Sequence, residues 1–598
     1  MVEDETAAGE VHDGHGLAYL QDTARRRGNV FEALVEAVKT HSLGQISHAL
    51  YDVGGGSIEG ICDQEKGRGV MLDSQEVRTL QNLVRDSFRI RENQDPVYVD
   101  LGGNLQRFSS PQHQVLFGRR GSGKSCLQVH FLSQANKNKD PLAIYIGVDE
   151  IKRLGFPDVL IRVLLVVFER LPGSKGRFFQ LLKTPQSKIV KDLKQLLDAP
   201  ESAQVSQKDT HDTEGALDLK PGQGSPGIDV RSRRGREVTT SFRSSKLDHL
   251  ERHLQDYKDA LRGSIRGTWP TVFVLVDDFY LIKKDLQPYV VDYLHRLFRG
   301  TDAYLKIGTV RHRTSLRTHE GQTIGVELAQ DVEEISLDKT FESFEETNSY
   351  LHSMLAEMGA VGHAGMDVAS LFNSDAPRAL TLASGGVPRD FLNIFVDAID
   401  MSLRAGKTDR LTPTFIYKAA AQHSYKSKLA NIQEEAGYDA DALGRVYADL
   451  VSFCLKEKRK TAFLVGIDDA RRHPDQNELL QQLMDFKLIH VISQNTSAAS
   501  GRQGRFVAYT LDFSIFMEPR RRGIEIVEFW KVDDQRRPIG VRESPDYPLA
   551  RAAQAAAIPR DASSVEDIVE SLEADDSAAM PETGTPVERA SEDSDQNK

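Results

Sequence analysis

Residues 117–126 read FGRRGSGKSC, and Gly118 to Ser125 within them fit the pattern G-x-x-x-x-G-K-[ST]. The run QVLF (114–117) before the loop has the composition of a strand, and CLQVHFLSQA (126–135) after it has that of a helix. Glycines at such a junction let backbone N–H groups curve around phosphate oxygens, and the helix N-terminus adds positive potential. The stretch therefore predicts a phosphate-binding loop between a strand and a helix.

Each position of this loop has an expected role. Lys124 reaches the β- and γ-phosphates of a nucleotide, and the Ser125 hydroxyl is a ligand for Mg²⁺. The other nucleotide contacts are expected from the rest of the loop: Gly118, Arg119, Arg120, Gly121, Ser122, Gly123 and Cys126. ATP with Mg²⁺ is the expected ligand, and a glycine turn without a ligand is the less favoured alternative.

A buried strand that ends in two carboxylates supplies the second part of the predicted site. TVFVLVDD (271–278) is apolar until Asp277 and Asp278, as expected of a strand covered on both faces. Asp277 would hold Mg²⁺ through water, and Asp278 would polarise the attacking water. The alternative for Asp278 is to cap the following turn.

Two more polar positions complete the constellation. LKIGTVRHRTSL places Thr309 and Arg311 at the end of another predicted strand, from which a side chain can reach the γ-phosphate. SGGVPRDFLNIF (384–395) places Arg389 at the start of a helix, from which its guanidinium can swing onto the nucleotide. The alternative for Arg389 is an exposed residue in a helix turn that begins with proline.

The surrounding pattern predicts an α/β P-loop NTPase core, with a parallel sheet and flanking helices, over 95–340. Further strands are predicted at 142–149, 303–310 and 332–338, and helices at 156–171 and 286–300. Residues 183–244 are predicted to be a disordered insertion, because 199–241 is polar, rich in Gly and Pro and poor in large apolar residues. Its basic cluster RSRRGR (231–236) is interpreted as a group of solvated charges in a flexible loop, in preference to a nucleic-acid contact.

Four other regions flank this core. Residues 1–94 are predicted to be mostly helical and partly disordered, and 341–437 to be a helical lid. Residues 438–523 are predicted to form a winged helix, with FLVGIDDARR (463–472) read as one of its three helices. Its β-hairpin is expected from LIHVISQ and RFVAYTLDF. The extension 524–598 is predicted to end in an acidic, disordered tail.

Charge and cysteine content restrict the classes of protein. The net charge is −12, but the last 38 residues hold 12 Asp and Glu against 2 Lys and Arg, so the remainder is nearly neutral and a nucleic-acid partner is not excluded. Three distant cysteines predict neither a metal site nor a disulfide framework. The acidic N-terminus is unlike a secretory signal, and the longest apolar run is too short to span a bilayer. A cytoplasmic protein without a membrane partner is expected.

The order of these motifs resembles that of AAA+ ATPases of the origin-recognition, replication-initiator group. GGVPRDFL (385–392) is similar to the lid motif of that group, which implies that Arg389 is the sensor-2 arginine and that Thr309 lies near sensor 1. The chain also resembles STAND signalling ATPases, through VLVDD (274–278), GVP (386–388) and TVR (309–311), and this implies a sensor role for Arg311. An arginine finger is not placed, with Arg313 and Arg317 as candidates.

The resemblance implies a slow ATPase that works as a conformational switch, in an oligomer or on DNA. The alternatives are a STAND-like regulator that senses a protein partner, and a nucleotide-stabilised scaffold with little turnover. The predicted recognition helix DQNELLQQLMDFK (475–487) has three acids and one lysine, which is poor material for reading a major groove. The basic stretches GRQGR (501–505) and EPRRRG (518–523) leave phosphate contacts open.

Overall fold

The computed structural model describes residues 19–23, 26, 33–34, 71–100, 102–138, 140–171, 185–199, 245–266, 271–318, 323–362, 366–435, 440–499, 501, 503–517, 523–534 and 537–557. The predicted disordered tail and most of the predicted insertion lie outside these residues. None of the described helices is long and apolar enough to cross a membrane.

A five-stranded parallel sheet forms the centre of the core. The strands of the core are β1 Gln114–Phe117, β2 Leu142–Gly147, β3 Val272–Asp277, β4 Ala303–Thr309, a small hairpin of β5 Arg317–Thr318 and β6 Ile324–Gly325, and β7 Glu333–Ser336. The order in the sheet is β2-β3-β4-β1-β7, with every pair parallel. All five predicted strands are confirmed, and their carboxyl ends share one edge, where Phe117 is level with Thr309 and Gly147 with Asp277.

Helices cover both faces of this sheet, which is why its strands are apolar throughout. The helices before the lid are α1 Gln75–Ser87, α2 Asn104–Phe108, α3 Lys124–Asn138, α4 Asp158–Arg170, α5 Pro185–Asp198, α6 Leu254–Ile265 and α7 Gln287–Phe298. Alternate strand residues face opposite layers: Val274 and Val276 pack with α4 and α7, whereas Phe273 and Leu275 pack with α2 and α3.

Helix α5 corrects the predicted start of the insertion at residue 183. Its sequence is amphipathic, and Ile189 and Leu193 are buried in the same core as α4 and α6. Burial of these apolar groups offsets the entropy of ordering the helix, which a purely polar segment cannot do. The stretch 200–244 lies outside the described residues.

The lid is helical, as predicted. Its helices are α8 Phe344–Gly362, α9 Ala376–Ala383, α10 Pro388–Arg404, α11 Pro413–Ala419 and α12 Lys426–Glu435, with a π-helical turn at 420–425 between the last two. Helix α1 belongs to the same hydrophobic core: Val77, Leu80 and Val84 pack with residues of α8 and α10. Gln81 and Arg85 of α1 also bond the Asp400 carboxylate of α10, at 2.8 and 2.7 Å. The described part of the N-terminal region therefore packs as part of the lid.

The third domain combines three helices with a three-stranded antiparallel sheet. Its elements are α13 Ala440–Val451, β8 Ala462–Gly466, α14 Ile467–Arg472, α15 Pro474–Asp485, β9 Ile489–Thr496 and β10 Phe506–Leu511. The three strands form one antiparallel sheet in the order β8-β10-β9. The interpretation of 463–472 as one helix was wrong, because its first half pairs with β10 as a strand whose first four residues are buried.

The third domain continues past the predicted end at residue 523. Phe529 joins its core, and a helix, α16 Leu549–Ala557, packs on α13. Tyr547 is fully buried, donates a 2.8 Å hydrogen bond to Asp449 and meets the rings of Phe453 and Phe463 edge-on. The described part of the extension completes a core that would otherwise be open on one side.

We expect Tyr547→Ala to lower the free energy of unfolding by about 3–5 kcal/mol, because it removes a buried ring and leaves a cavity. Urea unfolding of the full chain measures this change. Val532→Ala is the matched control, since Val532 lies in the same extension but is 58% exposed, and it should change stability by less than about 0.5 kcal/mol. Equal effects of the two substitutions would contradict a structural role for the extension.

Candidate functional site: a cavity at the carboxyl edge of the sheet

The phosphate loop joins β1 to α3, as its sequence predicts. Gly121 and Gly123 have φ values of +88° and +98°, a region that side chains disfavour. The Lys124 ammonium donates to the carbonyls of Gly118 and Arg119, at 2.7 and 3.1 Å, and burial lowers the pKa of this lysine. These contacts hold the cation at the loop, where phosphate oxygens can replace the carbonyls as acceptors.

The Asp277 carboxylate is fixed at the end of β3. It is 2% exposed and accepts hydrogen bonds from Gln128 at 3.0 Å, from the Tyr145 hydroxyl at 2.9 Å and from the Asp278 backbone N–H at 3.0 Å. A Cβ at Gly308 of the neighbouring strand would lie 2.7 Å from Asp277 Oδ1, so glycine makes room for the carboxylate there. Asp277 is thus positioned rather than free to rotate.

The adjacent Asp278 has a different environment. Its φ of 53° is left-handed, which costs roughly 1–2 kcal/mol and turns its carboxylate into the cavity. The side chain makes no capping hydrogen bond to the turn that follows, so the capping alternative is wrong. Burial, followed by the charge of Asp277, raises the pKa of Asp278 to about 6.

A cavity of about 380 Å³ opens above the loop, a size suited to a small ligand. Its apolar walls were missed from the sequence. One wall comes from α8, through Tyr350, Met354 and Met358, and another from residues between Phe88 and Val99. The spacing of four residues on α8 places its three side chains on one face, which is the signal that could have found them.

The cavity gathers most of the predicted residues. Those that line it are Arg120, Gly121, Gly123, Lys124, Ser125, Cys126, Asp278 and Arg389. The Cys126 thiol contacts the Val97 carbonyl at 3.5 Å, and burial raises its pKa to about 12, so it is a neutral wall residue. Ser122 lies within the loop, and its hydroxyl is buried without a partner among the described residues.

The predicted residues that do not line the cavity are Gly118, Arg119, Ser122, Asp277, Thr309 and Arg311. The last two point to other partners. Thr309 is fully buried at the end of β4, and its hydroxyl shares a 2.6 Å hydrogen bond with that of Thr314. Arg311 lies over the Phe117 ring, 4.1 Å from its centroid, and pairs with Glu334. In this conformation both side chains are committed to neighbours outside the cavity.

The lid contacts the phosphate loop directly at the start of α10. The Arg389 backbone N–H donates to the Gly121 carbonyl at 3.2 Å. A Cβ at Gly121 would lie 2.8 Å from Arg389 Cβ, so this approach requires glycine in the loop. Arg389 therefore stands beside the phosphate loop.

Arg119, inside the loop, connects the core to the third domain. Its backbone N–H donates to Asp338 at 2.7 Å, and its guanidinium donates to the Lys339 carbonyl at 2.8 Å and contacts His490 Nδ1 at 3.3 Å. His490 is a buried residue of β9, and its Nε2 lies 2.7 Å from the Asp512 carboxylate. Since Nδ1 accepts from Arg119, Nε2 must carry the proton, and burial lowers the pKa of His490 to about 4.

The buried Asp512 carboxylate extends this network to the end of the lid. Lys428 of α12 donates to it at 2.8 Å. Burial alone would raise the pKa of Asp512, but Lys428 and His490 outweigh that effect and lower it. The loop, the lid and the third domain thus share one chain of buried polar contacts, which we call the Arg119 network (Arg119, His490, Asp512 and Lys428).

Helix α15, the predicted recognition helix, packs on the α/β core. Glu478 pairs with Lys284 at 2.8 Å, and the Arg313 guanidinium lies 4.9 Å from the centre of the Phe486 ring just after the helix. The basic side chains of α14 pair within their own turn, Arg471 with Asp468 at 3.2 Å and Arg472 with Asp469 at 3.6 Å. In this arrangement α15 makes intramolecular contacts.

Arg317, the other candidate arginine finger, pairs with Glu327 at 3.2 Å.

The donor chemistry of the site fits magnesium with a nucleotide. Mg²⁺ prefers oxygen ligands; Ser125 lines the cavity, and the Asp277 carboxylate is fixed at the end of β3. Asp277 and Asp278 are also close enough to Lys124 for their charges to oppose the burial effect on its pKa. Across the described ranges, no group of three or more His, Cys, Asp or Glu residues is placed to hold a metal by itself.

Comparison with known proteins gives low similarity. No protein-family model matches the chain. One curated protein, a fused isobutyryl-CoA mutase of Geobacillus kaustophilus, is 55% identical over 42 residues, which cover 7% of this chain and 4% of that protein. The match is confined to that short stretch.

Solved structures give broader matches at low scores. A Walker-type ATPase of Pyrococcus abyssi has 14% identity, covering 72% of this chain and 98% of its own, with a TM-score of 0.34. Cdc6p of Pyrobaculum aerophilum has 12% identity, 71% and 93% coverage and a TM-score of 0.29. The Aeropyrum pernix Orc1 protein, in complex with DNA, has 12% identity, 73% and 89% coverage and a TM-score of 0.27.

The class of protein follows from the chain's own geometry. A parallel sheet with helices on both faces, a glycine loop from β1 to the N-terminus of α3, and an acid at the end of β3 define a P-loop NTPase fold. A helical lid that contacts the loop and a third domain that packs on both complete the described architecture.

We expect Gly385→Ala to loosen the contact between the lid and the third domain. A Cβ at Gly385 would lie 2.2 Å from His490 Cε1, and its φ is +62°. Gly406→Ala is the matched control, because Gly406 has a similar φ of +69° but no atom within 4 Å. Both variants carry the left-handed backbone cost, so the difference between their free energies of unfolding isolates the overlap, about 1–3 kcal/mol. No difference in urea unfolding would contradict the contact.

Proposed function

We propose that this chain binds ATP with Mg²⁺, hydrolyses it slowly and works as a conformational switch of the initiator-like AAA+ plan. The observation that carries the proposal is the meeting of Lys124, Asp278 and Arg389 around one cavity, with Asp277 fixed beside it. These residues come from the core and the lid, so a bound triphosphate would touch both. The apolar walls offer a place for the base.

The proposed hydrolysis divides the work among the side chains of the site. Ser125 and Asp277 would hold Mg²⁺, which neutralises phosphate charge when it is bound. Lys124 would neutralise charge on the β- and γ-phosphates, and the Asp278 carboxylate would accept a proton from the attacking water. Asp278 is one methylene shorter than glutamate, which supports slow rather than fast turnover.

Of the proposed γ-phosphate sensors, Arg389 is the best supported. It lines the cavity, whereas Arg311 stacks on Phe117 and Thr309 bonds Thr314. We propose that Arg389 reports the γ-phosphate to the lid. Arg311 and Thr309 would take part only after they exchange their present partners.

Lys124→Ala should abolish ATP hydrolysis and weaken ATP binding strongly, because the variant lacks the ammonium that neutralises phosphate charge. Phosphate release and binding of a fluorescent ATP analogue measure the two effects. Lys191→Ala, at an exposed lysine of α5, is the control and should match the unaltered chain. Hydrolysis that survives in Lys124→Ala would refute the site, and ATP binding without any turnover in the unaltered chain would favour the scaffold.

The pKa of Asp278 predicts how hydrolysis depends on pH. A general base must be ionised, so kcat/KM should fall about tenfold per pH unit below about 6 and stay level above it. Asp278→Asn should lower kcat/KM by about 10²–10⁴-fold, while Asp73→Asn, at an exposed position, should keep the full profile. A profile without an inflection near pH 6 would remove Asp278 from this role.

One observation supports a third domain controlled by the nucleotide, which the STAND-like alternative would use to expose a site for a protein partner. The Arg119 network joins the phosphate loop to the third domain, so a change in the loop can release or retain that domain. DNA binding is the other proposed output and would use phosphate contacts of the third domain after α15 leaves the core. We would measure molecular size and DNA binding in the same samples, once with ATP and once with ADP. These measurements separate regulation through a protein partner from DNA binding.

A further inference from the structure

A second cavity lies beside the nucleotide cavity, between the core and α15. Its volume is about 490 Å³, and five lysine and arginine side chains line its wall. They are Arg120, Lys152, Lys283, Lys284 and Arg313. We call this cavity the basic cleft.

The basic cleft is built at the carboxyl edge of the sheet. Arg120 comes from the phosphate loop, Lys152 follows β2, Lys283 and Lys284 follow β3, and Arg313 follows β4. Ligands of open α/β sheets bind along this edge, because the loops that leave parallel strands converge there. The position of the cleft is therefore that of a ligand site.

The basic cleft has more cations than nearby carboxylates. Outside its lining, Asp485 lies within electrostatic range of Arg313, and Asp278 within that of Arg120. Glu478 of α15 is the only carboxylate in its lining, and it pairs with Lys284. Lys152 and Lys283 are exposed and make no ion pair within the described part of the chain. Bringing five like charges to one cavity costs electrostatic free energy, and a bound anion offsets this cost.

The cleft differs from the nucleotide cavity in the residues that matter for binding. The two share Arg120 and Lys152, but Lys283, Lys284 and Arg313 line only the cleft. A nucleotide on the phosphate loop would leave these three cations without a phosphate. Because these three cations lie outside the nucleotide cavity, they indicate a site for a second ligand rather than an extension of the nucleotide site.

We infer that the basic cleft is an anion site beside the phosphate loop, with which it shares Arg120, and that it takes a phosphate-rich polyanion. Glu478 acts in it as a built-in competitor, since its carboxylate occupies Lys284 when α15 is docked. The ligand is either the backbone of a single-stranded nucleic acid or a small free polyphosphate, because both present closely spaced phosphates.

The test uses the full chain saturated with a non-hydrolysable ATP analogue, so that the phosphate loop is filled. Binding of a labelled 20-nucleotide single strand is measured by fluorescence anisotropy over a range of salt, and tripolyphosphate is added as competitor. Lys283→Ala/Lys284→Ala should weaken binding of both probes at least tenfold. It should also lower the salt slope for the strand by about 1.4, as expected for two lost phosphate contacts.

Glu478→Gln is the decisive partner variant, and it should strengthen binding of both probes. It breaks the same Lys284–Glu478 pair as Lys283→Ala/Lys284→Ala. If release of α15 alone changed the affinity for the probes, both variants would change it in the same direction. If the lysines bind the probes, the lysine variant lowers the affinity and Glu478→Gln raises it. Lys188→Ala/Lys191→Ala, on the exposed face of α5, removes the same charge elsewhere and should have little effect.

The outcomes separate the inference from the proposed ATPase. Polyanion binding that persists in Lys124→Ala shows that the cleft works without the phosphate loop. If affinity for the single strand grows with its length, the ligand is a nucleic acid. If tripolyphosphate displaces the labelled strand as effectively as an unlabelled strand does, the ligand is a small polyphosphate. The inference is overturned if neither probe binds, if both cleft variants move together, or if the α5 control loses as much affinity.

Discussion

The position of Arg119 governs how the three described domains fit together. One side chain of the phosphate loop is bonded at once to the end of the core sheet, through Lys339, and to the third domain, through His490. The His490 ring is buried, so losing its contact with Arg119 would leave a desolvated ring nitrogen behind and cost about 1–3 kcal/mol. The conformation of the phosphate loop and the docking of the third domain are therefore parts of one arrangement.

Much of the core and its phosphate loop could be predicted because their signals are local. A continuous apolar strand, a glycine loop and the acids of Asp277 and Asp278 each lie within a few residues of sequence. The cavity walls could not be found in this way, since Tyr350 and Phe88 meet only after the lid folds against the N-terminal segment. The role of Arg119 also depends on His490, which lies 371 residues away.

The predicted winged helix shows where pattern and packing diverge. The acidic residues of α15 are unsuited to reading DNA. In the structure one of them, Glu478, forms an ion pair with Lys284 of the core. Strand β8 was hidden in the sequence since its pairing partner β10 lies about forty residues further on. Its short apolar run AFLV cannot be told from a helix turn without that partner.

Helix α1 has a mechanical consequence. It shares a hydrophobic core with α8 and α10, and the chain after it, between Phe88 and Val99, forms a wall of the cavity before entering the core. The body that would rotate with the lid is thus assembled from two distant pieces of chain. A nucleotide base bound in the cavity would contact this lid body and the phosphate loop of the core at the same time. Separating the lid from the core would then cost the free energy of binding that base.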